Sequence, residues 1–76
     1  MHVIFILINT KPGKAFEVAE KVAKIEKVKS AYAVTGPYDV VACFKSEEPM
    51  ADIKKIVSKI HEIEGVEKTL TMVAIH

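Results

Sequence analysis

The first strand that this sequence predicts is apolar on both of its faces. Val3 to Ile8 is an unbroken run of aliphatic and aromatic residues, rich in the β-branched types that favour strands. Successive side chains of a strand point to opposite faces of its sheet, so Val3, Phe5 and Leu7 oppose the three isoleucines between them. The chain must therefore cover two apolar sheet faces, and its 76 residues leave little to cover them with.

The remaining sequence alternates between helical and strand patterns. Lys11-Pro12-Gly13 interrupts the first strand, and apolar residues then recur at helical spacing from Lys14 to about Ile25. A second helix is predicted to begin near Ser46–Pro49 and to have Gly65 as the residue just past its end. Its predicted inward positions are Met50, Ile53, Ile56, Val57, Ile60 and Ile63. The predicted strands are Val3–Ile8, Val28–Thr35, Val40–Lys45 and Val66–Ile75.

This order, β-α-β-β-α-β, is that of the ferredoxin-like α+β fold, and residues 1–76 are expected to form a single domain. Right-handed crossovers place both helices on one side of a four-stranded antiparallel sheet, with strand order 4-1-3-2. The other side stays apolar and lacks a long loop to cover it. We therefore expect a second copy to pack there, sheet against sheet, as a dimeric α/β barrel.

Composition excludes several classes of protein. The 11 basic and 10 acidic residues nearly cancel, and arginine is absent, so nothing indicates a nucleic-acid surface. One cysteine permits no internal disulfide, and no spacing of Cys and His is typical of zinc binding. The apolar run is too short to span a bilayer, and no signal peptide is recognised. We expect a cytoplasmic protein without a cofactor or a membrane partner.

The stretch Val34–Val41 contains a Gly-x-Tyr-Asp turn at Gly36, Tyr38 and Asp39. Together with Gly65-Val66 and a last strand that bears Thr69 and Thr71, it resembles the effector-binding domain of the Lrp/AsnC transcription regulators, often called RAM. The resemblance extends over the whole chain. Family members usually carry an N-terminal helix-turn-helix, whereas this sequence starts directly at the first strand and so looks like a stand-alone form.

The resemblance implies dimers packed through their sheets and assembled further into octamer or decamer rings. It also implies an amino-acid effector bound between dimers, close to the turn. The residues that it points to are Gly36, Tyr38, Asp39, Thr69 and Thr71. Such a module would sense a small molecule and take part in transcription regulation through a partner protein, such as a full-length Lrp-type regulator, without binding DNA itself.

Each of these residues also has an ordinary structural interpretation. Gly36 can simply allow a positive φ, Asp39 can cap its own turn, and threonine is common in strands. The Lys11–Lys14 segment is a second candidate site, although a plain turn is preferred. His2 and His76 are expected at neighbouring strand ends, where two imidazoles alone make a poor metal site. His61 is interpreted as a helix-end residue.

Two rival functions remain open. Small dimeric α+β barrels of this layout include monooxygenases and isomerases, for which Asn9, Tyr32 and the histidines are the available polar groups. Cys43 is interpreted as a small buried apolar residue rather than a nucleophile. A purely structural oligomer is the third possibility, because a fold alone does not select a function.

Overall fold

Six elements follow the predicted order in a computed structural model that describes all residues from 1 to 76. The strands are β1 (His2–Thr10), β2 (Ser30–Ala33), β3 (Val40–Ser46) and β4 (Val66–Val73), and the helices are α1 (Ala15–Ala23) and α2 (Pro49–His61). Neither helix is long and apolar enough to cross a membrane. The elements differ from the predictions mainly at their ends, where propensity is weakest.

The four strands form one antiparallel sheet in the order β2-β3-β1-β4, which confirms the predicted order. Ile4 of β1 lies opposite Phe44 of β3 and opposite Val73 of β4. The long and apolar β1 is thus a central strand, where a continuous hydrophobic run is expected.

The core lies between the sheet and the two helices. On β1 it takes the isoleucines of the alternating pattern, and each helix contributes an apolar stripe at helical spacing. The largest fully buried side chains among them are Ile4, Ile6, Ile8, Val18, Val22, Val40, Phe44 and Ile60. This packing fixes which face of each strand looks toward the helices.

The opposite face of the sheet, which we call the open sheet face, is apolar and lacks a helix. Leu7 lies between Val41 and Leu70, and in the next apolar row Phe5 lies between Cys43 and Met72. Leu70 is 45% exposed and Met72 is 44% exposed. The prediction that both sheet faces are apolar is confirmed.

The prediction for Met50 is wrong. Its side chain is 84% exposed, and Asp52 is buried in its place. Asp52 precedes Ile56 by four residues and therefore shares its inward face, whereas Met50, six residues before Ile56, lies off that face. Ser46 and Lys27 bond the buried carboxylate, which makes its inward position acceptable.

The sequence predicted Gly65 as the residue just past the end of α2, and this prediction is wrong. The helix ends at His61, and Glu62 caps it through bonds from its N–H to Lys59 O and Ile60 O. Gly65 lies further on, with φ of 101°, and a Cβ there would lie 3.2 Å from Lys14 Cβ. The glycine is thus required by a left-handed backbone and by close packing against Lys14.

Candidate functional site

The Gly36–Asp39 turn is held in place by hydrogen bonds, most of which join it to the end of β1. The N–H of Asp39 donates to Ile8 O at 2.9 Å, and Val34 N–H closes the turn by donating to Asp39 O at 2.8 Å. Asn9 Nδ2 donates to Pro37 O at 2.9 Å, and Thr10 N–H donates to Asp39 Oδ2 at 2.8 Å. The turn therefore has a fixed position relative to the sheet.

The β1–β3 ladder ends at Ile8 and Val40, so the Thr10 N–H, which points to the same side of β1 as the Ile8 carbonyl, has no strand partner there. Asn9 lies opposite Lys68, but Thr10 lies opposite Val66, so β4 has Glu67 as an extra residue in this step. This β-bulge lies on the β4 side of β1, opposite to the side on which the Thr10 N–H lacks a strand partner. The N–H of Thr10 finds its acceptor in the Asp39 carboxylate instead.

Gly36 is needed for its backbone conformation alone. Its φ is 121°, a region that other residues rarely adopt, and a Cβ added there would meet nothing within 4 Å. Gly36 and Pro37 are exposed, while Tyr38 and Asp39 are half-buried. The turn thus presents a backbone surface and an aromatic ring at one end of the sheet.

The two threonines lie on the helix-facing side of the edge strand β4. Thr69 is opposite Ile8, the residue whose carbonyl bonds Asp39 on the other side of β1, and Thr71 is opposite Ile6. Both are half-buried. The structure therefore brings Thr69 and the turn to the same end of the sheet, whereas Thr71 lies nearer the middle.

His61 makes a contact that sequence reasoning missed. Its Nε2 lies 3.2 Å from Thr69 Oγ1, which joins the end of α2 to the start of β4. No spacing in the sequence predicts this pair, because the chain reverses its direction between the two residues. His61 thus orients one of the predicted site residues.

A second polar cluster lies at the opposite end of the sheet and was also missed. Asp52 Oδ1 accepts from Lys27 Nζ at 3.0 Å, and its Oδ2 accepts from the Ser46 hydroxyl. Ser46 Oγ also accepts from Glu48 N–H at 3.0 Å. The hydrogen bond from Ser46, followed by that from Lys27, holds the pKa of Asp52 below its ordinary range, against the opposing effect of burial. All of these groups satisfy one another, which favours a structural role.

The other candidates of the sequence occupy separate places. Lys11 N–H donates to Gly65 O at 2.8 Å, so the Lys11–Lys14 segment is a turn held by the main chain. His2 and His76 line one depression of about 600 Å³ at neighbouring strand ends. Cys43 is half-buried on the open sheet face. No group of three or more His, Cys, Asp or Glu side chains is placed to hold a metal ion.

The turn lines no cavity within one chain. The four depressions of the surface lie elsewhere, and none includes Gly36, Tyr38 or Asp39. Small-molecule sites are usually concave and bury most of their ligand. A ligand at this turn would therefore need further walls from outside the chain.

Comparisons with known proteins agree with this architecture. A family model for the Lrp/AsnC ligand binding domain matches residues 3–76. The HTH-type transcriptional regulator FL11 of Pyrococcus furiosus is 37% identical over 71 residues, which cover 93% of this chain and 46% of the regulator. The chain thus spans about half the length of the curated relatives that it matches.

Solved structures are similar over the full chain. TTHA0845 from Thermus thermophilus has a TM-score of 0.90 at 32% identity, with 100% of this chain and 95% of that chain covered. The transcriptional regulator NMB0573 of Neisseria meningitidis, solved as an L-Met complex, has a TM-score of 0.79 at 21% identity. It is covered over 50% of its length and 99% of this chain, and at that identity it supports the fold alone. On its family match and its fold, the chain belongs to the Lrp/AsnC ligand-binding domain family, whose matching relatives are transcription regulators.

Proposed function

We propose that this domain senses an amino acid, which binds between subunits beside the Gly36–Asp39 turn. The observation that carries the proposal is the combination of a rigidly tethered turn with the lack of any cavity around it in one chain. A turn whose groups are fixed, but which has no surrounding walls in one chain, suits a ligand that binds between two copies of the chain. The L-Met complex of the Neisseria regulator makes an amino acid the first ligand class to test.

The residues of the turn suit the two charged ends of an amino acid. Asp39 uses Oδ2 for Thr10, which leaves Oδ1 to accept a bond from an α-ammonium group. The backbone around Gly36, in its left-handed conformation, can direct N–H groups toward a carboxylate. Tyr38 offers an aromatic surface and a hydroxyl to the side chain.

Thr69 and Thr71 are proposed as further contributors. The Thr69 hydroxyl lies at the same end of the sheet as the turn and already has His61 as a partner. Thr71 lies one inward-facing position further along β4, so its contribution requires a ligand that reaches toward the middle of the sheet. We expect Thr69 to matter more than Thr71.

The subunits that complete the site are proposed to pair through the open sheet face. This face carries Phe5, Leu7, Val41, Leu70 and Met72 side by side, and contiguous apolar patches on soluble proteins mark interaction sites. Pairing there leaves the turn at the edge of the dimer, where further dimers can reach it and build an octamer or decamer ring. Ligand binding and assembly would then strengthen each other by linkage.

The domain is proposed to act in the cytoplasm, as a non-enzymatic module of transcription regulation that works through partner proteins such as an Lrp-type regulator. A nearly balanced charge and the absence of arginine argue against DNA binding by these residues. The Thermus protein is matched over 95% of its chain, so a solved protein of about this size consists of this domain.

Isothermal titration calorimetry with each standard amino acid tests the proposal. At least one is expected to bind, and Asp39→Asn should weaken that binding because it removes the charge and keeps an oxygen for Thr10. Glu20→Gln, which removes an exposed carboxylate from α1, is the matched control and should bind normally. The absence of heat for every amino acid, or equal losses in both variants, would contradict the proposed site.

A further inference from the structure

The outward side of α2 carries lysines that form no ion pair with the carboxylates of the chain. Lys54, Lys55 and Lys59, which we call the α2 lysine face, are all exposed. The ion pairs of the chain involve Lys14, Lys21 and Lys27 instead. The only acidic residue within α2, Asp52, is buried and bonded to Lys27 and Ser46, and Lys55 attracts its carboxylate without forming an ion pair.

Helix α1 shows the opposite arrangement. Its single lysine, Lys21, has its Nζ 3.4 Å from the Glu17 carboxylate, which also lies 3.8 Å from Nζ of the preceding Lys14. The chain as a whole has a formal net charge of +1. The positive charge at α2 is therefore a local feature of one surface and does not reflect a generally basic protein.

The side chains that lie between these lysines are small. Ala51 and Ser58, together with the three lysines and Glu62, line a shallow depression of about 550 Å³. Small side chains there let a partner approach the helix closely while lysines surround it. The helices cover the side of the sheet away from the open sheet face, so pairing through that face leaves α2 accessible.

We propose that the α2 lysine face is a docking surface for a short acidic segment of a partner protein. Three exposed ammonium groups without an ion pair attract carboxylates and steer their approach. This inference does not depend on amino-acid binding at the Gly36–Asp39 turn. It gives the partner a surface that is separate from both the proposed ligand site and the open sheet face.

The flanking charges favour a short acidic segment over nucleic acid. Exposed Glu47 and Glu48 precede the helix, and exposed Glu62 and Glu64 follow it. The lysines between them span about 8 Å of helix, so a long polyanion would run over the flanking carboxylates and be repelled. The face also lacks the arginine and aromatic side chains on which bases stack.

Fluorescence anisotropy with a labelled triglutamate peptide, whose three residues span about 10 Å, tests the proposal at low ionic strength. The variant Lys54→Gln/Lys55→Gln/Lys59→Gln is expected to bind about tenfold more weakly than the unchanged chain. The control Lys11→Gln/Lys24→Gln/Lys29→Gln removes the same charge from exposed lysines without ion pairs elsewhere and should stay within about twofold. Circular dichroism establishes that both variants are folded.

Three results would overturn the proposal. Lack of binding by the peptide would mean that no such surface exists. Equal weakening in both variants would mean that only the overall charge matters. Binding of a labelled thymidine oligonucleotide of equal charge, as tightly as the peptide and with the same loss in the α2 variant, would assign the face to nucleic acid.

Discussion

The N–H of Thr10 donates a 2.8 Å hydrogen bond to Asp39 Oδ2 and so joins the end of β1 to the turn that precedes β3. A bond to a charged, half-buried acceptor contributes more than a neutral one. Asp39→Ala should therefore lower the free energy of unfolding by about 1–3 kcal/mol. Asp39→Asn, which keeps an oxygen acceptor, should lose clearly less. Urea unfolding at one fixed protein concentration measures both, and equal losses would mean that this bond contributes nothing specific.

The open sheet face predicts how the chain responds to a charge in its centre. Leu70→Glu would place an unpaired carboxylate within the proposed sheet-to-sheet contact, which costs several kcal/mol in an apolar environment. The dissociation constant of the dimer should rise at least about a hundredfold. Sedimentation velocity measures this change.

The matched control is Phe16→Glu, because Phe16 is 82% exposed on α1, away from the open sheet face. That variant should keep the assembly state of the unchanged protein. If Leu70→Glu also keeps it, or if the unchanged chain is monomeric at micromolar concentration, pairing through this face is wrong.

Lys27 combines an unfavourable backbone with a favourable side chain. Its φ is 80°, in the left-handed region that suits glycine, while its ammonium group bonds Asp52 at 3.0 Å. Lys27→Ala and Lys27→Gly both remove that bond, but only the glycine relieves the backbone. The glycine variant should therefore be more stable than the alanine variant by about 1 kcal/mol. Thermal unfolding of the pair tests this, and a more stable alanine variant would refute it.

The protein is expected to lose stability in acid because the pKa of Asp52 is lowered by folding. Ser46 and Lys27 hold its pKa below the ordinary value in the folded chain. Such a carboxylate stabilises the fold when the pH is above its pKa in the unfolded chain, which is about 3.9. This contribution to stability disappears as the pH falls through the pKa that the group has in the folded chain. At neutral pH the midpoint of unfolding should be higher for the unchanged protein than for the Asp52→Asn variant. The difference between the two midpoints should shrink below about pH 4. A difference that does not vary with pH would show that the charge of Asp52 is unimportant.

The sequence was sufficient to predict the order of the elements, the strand order and the two apolar faces of the sheet. These features depend on the period of apolar residues along the chain and on the handedness of crossovers, and both are local or general rules. The turn at Gly36–Asp39 was also recognisable, because glycine, proline and aspartate have specific backbone preferences.

Only the tertiary structure decided which polar groups meet. The hydrogen bond of Thr10 with Asp39, the contact of His61 with Thr69 and the inward position of Asp52 each join residues from different elements. The exact phase of each helix and the register of each strand determine such pairs, and periodicity does not specify them to a single residue. By itself the sequence therefore determined the architecture and the location of the turn, while three-dimensional packing decided the partners of each charged side chain.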